Sequence, residues 1–247
     1  DAKSALQRIA AKLEAREGAA FNAGKSKREE WWKKLTAWLD AVPFGCKYSV
    51  TEINPQQVIE ELHRITNGDA IIVTDVGQHQ MWAAQFYPFK RSRQWLTSGG
   101  LGTMGFGLPA AMGAQLACPD QMVVAVVGDG GFQMTNQEII TAIQYKIPLK
   151  VLIMNNGYLG MVRQWQEMFY DRAYSEVDLS ISPDFVKLAE AYGALGLRAK
   201  IPSELTQVLE EGLAHDGVTI MDIVVSKEEN VFPIIPAGQD TRNMILK

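Results

Sequence analysis

Asp129 and Asn156 are the residues around which chemistry can be built. Asp129 lies in Gly128-Asp129-Gly130-Gly131, directly after an apolar run. Asn156 lies in Asn155-Asn156-Gly157, directly after another. The first offers a hard anionic oxygen and the second a neutral amide oxygen, and the glycines let backbone and phosphate come close. Mg²⁺ takes octahedral oxygen ligation, usually from one or two protein side chains completed by substrate phosphates. The pattern therefore points to a diphosphate bridged to the protein through Mg²⁺. Two commoner phosphate sites do not match: no P-loop lysine follows the glycines, and the last glycine of G-x-G-x-x-G is absent.

The elements needed to bring these residues together are legible around them. Met122 to Val127 is valine-rich and unbroken, the pattern of a strand buried on both faces of a parallel sheet. Thr135 and Glu138 are spaced as a capping box, which predicts a helix through about Tyr145. Leu149 to Met154 reads as the next strand. A strand–helix–strand unit results, with Asp129 and Asn156 at the carboxyl ends of its strands, where open α/β sheets bind ligands. Asn54-Pro55 starts a helix to about Thr66. Ala70 to Thr74 is a short buried strand, followed by Asp75 to His79, where Gln78 and His79 can donate to phosphate oxygens. Thr97 to Gly107 crowds five glycines around Met104 before a small-residue helix, Pro109 to Ala117. Such density implies close backbone approach, to a ligand or merely within a tight turn. Further helices are predicted over Leu159 to Tyr170, Pro183 to Tyr192 and Ser203 to His215, and strands over Leu195 to Ala199 and Thr219 to Val225. The fold class is α/β, a mostly parallel sheet with helices on both faces.

GDG followed by NN across such a unit resembles the thiamine-diphosphate motif of the ThDP-dependent enzymes. Three flanking stretches, TSGGLGTMGFGLPAAMGAQLA, GQHQMWAAQFY and NNGYLGMVRQWQEMFY, are similar to the large catalytic subunit of acetolactate synthase. The resemblance implies a ThDP-binding fold and Mg²⁺ held by Asp129, Asn156 and the Tyr158 carbonyl. It also implies cofactor contacts from Val76, Gly77, Gln78, His79, Gly102, Gly128, Gly130, Gly131 and Met161. Met104 would wedge between the rings of ThDP, and Trp165 would line the substrate channel and favour 2-ketobutyrate as acceptor. Both count as catalytic in this reading. The implied activity is decarboxylation of pyruvate and carboligation to a second 2-keto acid, in branched-chain amino acid synthesis. The implied partners are the pyrimidine-binding domain of a neighbouring subunit, a homodimer or homotetramer, and a small regulatory subunit. Gly131 departs from the small hydroxyl or alanine frequent at its position. Two alternatives remain: another ThDP enzyme, such as a pyruvate oxidase or a benzoylformate decarboxylase-like protein, or a non-catalytic cofactor-binding module.

Composition is that of an ordinary globular chain: 247 residues, 47% hydrophobic, 21% charged, net charge −4. There is no basic block for nucleic acid and no stretch of membrane-spanning length, and no signal peptide is expected. Cys46 and Cys118 are isolated, as expected of idle thiols in a reducing compartment. The expected location is the cytoplasm, or a chloroplast or mitochondrion in a eukaryote. Residues 1–45 read as two helices, Ala2 to Arg16 and Glu29 to Leu39, with a polar linker. By resemblance they are the tail of a preceding FAD-binding-like domain, FAD belonging to the intact enzyme. Residues 46–247 read as the ThDP diphosphate- and Mg²⁺-binding domain with a tail, Pro233 to Asp240, which the resemblance implies is folded over the active-site mouth. The chain is expected to be a piece of a longer subunit and inactive alone. Arg163 and Gln164 read as solvated, Trp31, Trp32 and Trp38 as packing residues, and His63 and His215 as surface residues.

Overall fold

The structure, a computed structural model, describes residues 1–15, 24–41 and 48–246. Cys46 and most of the predicted linker and connector lie outside them. The chain divides into two units, Asp1–Gly45 and Cys46–Lys247. In the first, α1 (Ala2–Glu14) is capped by the Asp1 carboxylate, which accepts the Ser4 N–H at 2.8 Å. Helix α2 (Lys25–Ala41) carries Trp31 and Trp38 edge to face, 5.6 Å between ring centroids. These tryptophans and Trp32 are more than half exposed, so they do not form a core within this unit.

The second unit is built on six parallel strands in the order β2-β1-β3-β4-β6-β5. They are β1 (Ile71–Thr74), β2 (Trp95–Thr97), β3 (Val123–Gly128), β4 (Lys150–Asn155), β5 (Leu195–Ala199) and β6 (Thr219–Val224). Successive side chains point to opposite faces, and both faces are covered. Ile72, Val124, Val126, Leu152 and Met221 face α3 (Pro55–Ile65), α4 (Gln78–Phe86) and, later in the chain, α10 (Pro202–Ala214). Ile71, Val73, Ala125, Val127 and Ile153 face the small-residue helix α5 (Gly107–Ala117), α7 (Ile139–Gln144) and α9 (Phe185–Tyr192). Two-sided burial is why the strands read as continuous apolar runs. The expected fold class is the observed one.

Chain order reverses between β1 and β3: β1 leads outward to β2, whereas β3 leads the other way to β4. A crevice opens at the carboxyl ends of such a pair. One local expectation fails beside it. Thr135 caps no helix; its hydroxyl donates to the Gly105 carbonyl at 3.2 Å, and a five-residue helix α6 (Asp129–Gln133) has already begun at the glycines. A 3₁₀ turn, Asn136–Glu138, then leads into α7. Asn54 stands at the N-cap of α3 with Pro55 first in the helix, as expected, although its side chain accepts the Ser49 N–H rather than a helix N–H.

Candidate functional site

A cavity of about 300 Å³ lies at the switch between β1 and β3. It is lined by Val76, Gly77, Gln78 and His79 after β1, by Gly102 and Met104, by Gly128 to Gly131 after β3, and by Asn156 and Tyr158 after β4. Met161 and Trp165 complete it from α8 (Gly160–Phe169). Every residue to which the resemblance gave a cofactor, metal or substrate role is therefore brought to one hollow. Gln80, Met81, Leu159 and Val162 also line it; they lie in the stretches that carry the resemblance, but no role was assigned to them.

The tips of β3 and β4 are tied together through backbone. Asp129, 1% exposed, accepts the N–H of Gly130 at 3.0 Å and that of Gly157 at 2.9 Å. Burial pushes its carboxyl up to about 7 despite these bonds, and the charge of Asp222 adds to the rise. A cation beside it would reverse that balance. The Asn156 Oδ1 accepts the Tyr158 N–H at 3.0 Å. Residues 157–159 pair with the irregular segment 177–179 through the Gly157 carbonyl and Leu159 N–H, which leaves the Tyr158 carbonyl out of that ladder. A carboxylate, an amide oxygen and a carbonyl, without a cluster of three His, Cys, Asp or Glu among the described residues, is a hard-oxygen donor set suited to Mg²⁺.

On the β1 side, Asp75 is fully buried and welds two loops. Its Oδ1 accepts the N–H of Val76 at 2.7 Å and of Gly105 at 3.1 Å, and its Oδ2 accepts that of Gly107 at 3.0 Å. Glycine is required at 107, where a Cβ would stand 2.8 Å from the Asp75 backbone nitrogen. At Gly131 a Cβ would stand 2.8 Å from Asp75 Oδ1, which accounts for glycine at that departure. His79 lies against Gly77 and Gly128. Burial lowers its pKa to about 4, against the nearby Asp75 charge and a hydrogen bond with the Asp75 backbone. Its buried Nε2 has no partner, an orphan that a phosphate oxygen in the cavity would satisfy.

Three expectations need correction. Gln78 lines the cavity, but its amide N–H groups go to Gln164 Oε1 at 2.8 Å and the Glu229 carbonyl at 3.0 Å, so it does not have them to give to phosphate. Arg163 and Gln164 are not solvated; both are fully buried. Arg163 donates to Glu167 at 2.6 Å, to Asn230 Oδ1 at 2.5 Å and to the Glu229 carbonyl at 3.2 Å. Their inward turn leaves Met161, Val162 and Trp165 to form the cavity wall, with Trp165 46% exposed. The arginine with glutamate four residues on was a usable signal, since such spacing brings side chains together on a helix. His63 is half-buried against Tyr87, ring centroids 5.0 Å apart, and is not a surface residue. No residue of the tail 233–240 is among those lining the cavity.

Residues 75–223 match the family described as thiamine pyrophosphate enzyme, C-terminal TPP binding domain. The chain belongs to that family. The match begins at the buried aspartate after β1 and runs through both glycine-rich turns. An acetolactate synthase large subunit of Lactococcus lactis is 45% identical over 99% of this chain and 41% of its own length. Isozyme 3 of Escherichia coli is 47% identical over 83% of this chain and 36% of its own, and the Haemophilus influenzae subunit 44% over 88% and 38%. The chain thus spans about two fifths of the curated relatives it matches. A solved thiamine diphosphate-dependent 4-hydroxybenzoylformate decarboxylase from Rhodococcus jostii superposes with a TM-score of 0.68 at 28% identity, over 75% of this chain and 35% of its own. Among the described residues no helix is long and apolar enough to cross a membrane.

Proposed function

We propose that this chain forms the diphosphate- and Mg²⁺-binding part of an acetolactate synthase catalytic subunit. Such a subunit decarboxylates pyruvate and joins the remaining two carbons to a second 2-keto acid, pyruvate or 2-ketobutyrate. The observation that carries the reading is the pairing of Asp129 with the Asn156 loop through the Gly157 N–H, at neighbouring strand tips inside one cavity. Asp129, Asn156 and the Tyr158 carbonyl would hold Mg²⁺, and the glycine backbone at 128–131 with His79 would receive the diphosphate. ThDP, when bound, supplies the carbanion-stabilising centre of the reaction. The protein's own part is position and exclusion: Asp75 fixes the Met104 loop, and Met161, Val162 and Trp165 wall the space a keto acid would enter. Trp165 supports selection of the larger acceptor, because a half-exposed aromatic at the wall rewards an extra methylene with contact.

The similarity to acetolactate synthase subunits extends the proposal to what lies beyond this chain. The pyrimidine half of the cofactor would be met by the corresponding domain of a neighbouring subunit in a homodimer or homotetramer, with FAD in a separate domain and a small subunit for regulation. Residues 1–45 would be the end of that preceding domain. This chain alone would then lack carboligase activity. Calorimetric titration with ThDP, with and without Mg²⁺, tests the core claim. Metal-dependent binding that disappears in Asp129→Asn is the expected result; affinity unchanged by the substitution removes the ligand assignment.

A further inference from the structure

Side-chain amides present oxygen and nitrogen in nearly the same shape, so which end faces a ligand must be set by neighbours of fixed polarity. Asn156 has such neighbours at the end of a buried chain of amides. The Val231 backbone is the anchor: its carbonyl accepts the Gln164 Nε2 at 3.0 Å and its N–H donates to Gln164 Oε1 at 2.9 Å. Peptide polarity cannot invert, so Gln164 is held one way round. Its Oε1 then accepts from Gln78 Nε2 at 2.8 Å, and a second backbone group, the Glu229 carbonyl, takes the same nitrogen at 3.0 Å. Gln78 must therefore present Oε1 to its remaining neighbour, and Asn156 Nδ2 donates to it at 3.2 Å. The Asn156 oxygen is left on the opposite side, against the Tyr158 N–H.

Gly160 shows that the fold makes room for this bond. A Cβ there would stand 2.6 Å from Asn156 Nδ2 and closer still to Gln78 Oε1, where α8 begins. Gln78 and Asn156 are 2% and 7% exposed, so water does not substitute for either partner.

We infer that Gln78 is a positioning residue: oriented by Gln164 and the 229–231 backbone, and acting with the Tyr158 N–H, it keeps the Asn156 amide oxygen, not its nitrogen, available to the cation. This rests on the reading of Asn156 as a Mg²⁺ ligand. Its logic is that of partners behind a metal ligand, whose loss typically weakens metal affinity about 10- to 100-fold.

The test is the Mg²⁺ dependence of ThDP binding, measured by calorimetry on the full chain in a two-by-two set. Gln78→Met should weaken the metal-dependent affinity about tenfold or more in the parent protein. In an Asn156→Asp background the ligand offers oxygen in either direction, and the Gln78 oxygen now opposes a carboxylate. There Gln78→Met should leave affinity unchanged or raise it. Equal losses in both backgrounds would mean that Gln78 merely supports the fold, and would overturn the inference. A parent protein without metal-dependent binding would overturn the underlying reading, and the inference with it. The unaltered protein gives an independent measurement, free of any failure of a variant to fold. In ¹⁵N spectra the Asn156 side-chain amide protons should exchange slowly with solvent and stay protected when Mg²⁺ and ThDP are added. Exchange as fast as that of an exposed amide would sink the proposal.

Discussion

Asp75→Asn is the sharpest probe of how the cavity is held. Asp75 accepts three backbone N–H groups with two oxygens and is fully buried. The asparagine has one oxygen and one NH₂ group, and in either orientation the NH₂ confronts at least one of those N–H donors. At least one hydrogen bond to a charged acceptor is lost, worth about 1.5–3 kcal/mol, and a buried donor goes unpaired at a further 1–3 kcal/mol. Relief of the buried charge offsets part, leaving about 3 kcal/mol. For a unit of this size, a loss of that order lowers the melting temperature by roughly 6–12 °C. Differential scanning calorimetry without ligand measures the fold's share, and ThDP–Mg²⁺ titration of the folded variant measures the loop's. The Met104 loop should loosen, so ThDP affinity should fall beyond what the stability loss explains. A melting temperature within about 2 °C of the parent would refute the account of Asp75 as the weld between the two loops.

Other substitutions have outcomes that follow from the same geometry. His79 has a folded pKa of about 4, below its ordinary 6.5, so the folded state binds fewer protons between those values. Stability should therefore fall as pH drops through that window, by about 3 kcal/mol in full, and the dependence should flatten in His79→Asn; acid-titrated denaturant melts check it. Arg163→Ala strips a fully buried guanidinium from Glu167 and Asn230, and chemical denaturation should report a loss of about 3 kcal/mol. Trp165→Leu, at a wall position 46% exposed, should shift the melting temperature by no more than a few degrees. In the complete enzyme it should lower the preference for 2-ketobutyrate over pyruvate as acceptor, read from a competition assay of products, whereas an unchanged product ratio would remove Trp165 from acceptor selection.

What the sequence disclosed follows from how strongly each residue type constrains its surroundings. β3 and β4 announce themselves because both faces are buried, and their tips carry residues that a core does not tolerate without purpose, Asp129 and Asn156. The three-residue strand β2 escaped notice, since Trp95–Thr97 is half-exposed at the sheet edge and too short to alternate. The Thr135–Glu138 spacing misled because the bond that Thr135 donates to the Gly105 carbonyl draws its hydroxyl toward another loop, and its oxygen accepts no helix N–H. Gln78 and Gln164 were the least legible. A glutamine reads as surface or as donor until its partners are known, and here the partners are backbone groups at 229 and 231, far along the chain. Asp75 was visible only as the first residue of a strand-end segment, because the glycine amides that need it lie in another loop.

The bond between Gln164 and Val231 joins positions 67 residues apart. During synthesis, α8 leaves the ribosome long before its anchor does. Until the stretch after β6 has emerged, no backbone group at 229–231 fixes the amide ends of Gln164 and Gln78, and Asn156 is oriented by the Tyr158 N–H without their help, however well the sheet has already collapsed. On the proposed reading, vitamin capture would be a late event in the life of the nascent chain, and a polypeptide stalled before residue 229 should fold its β3–β4 core yet bind ThDP more weakly than the whole chain does.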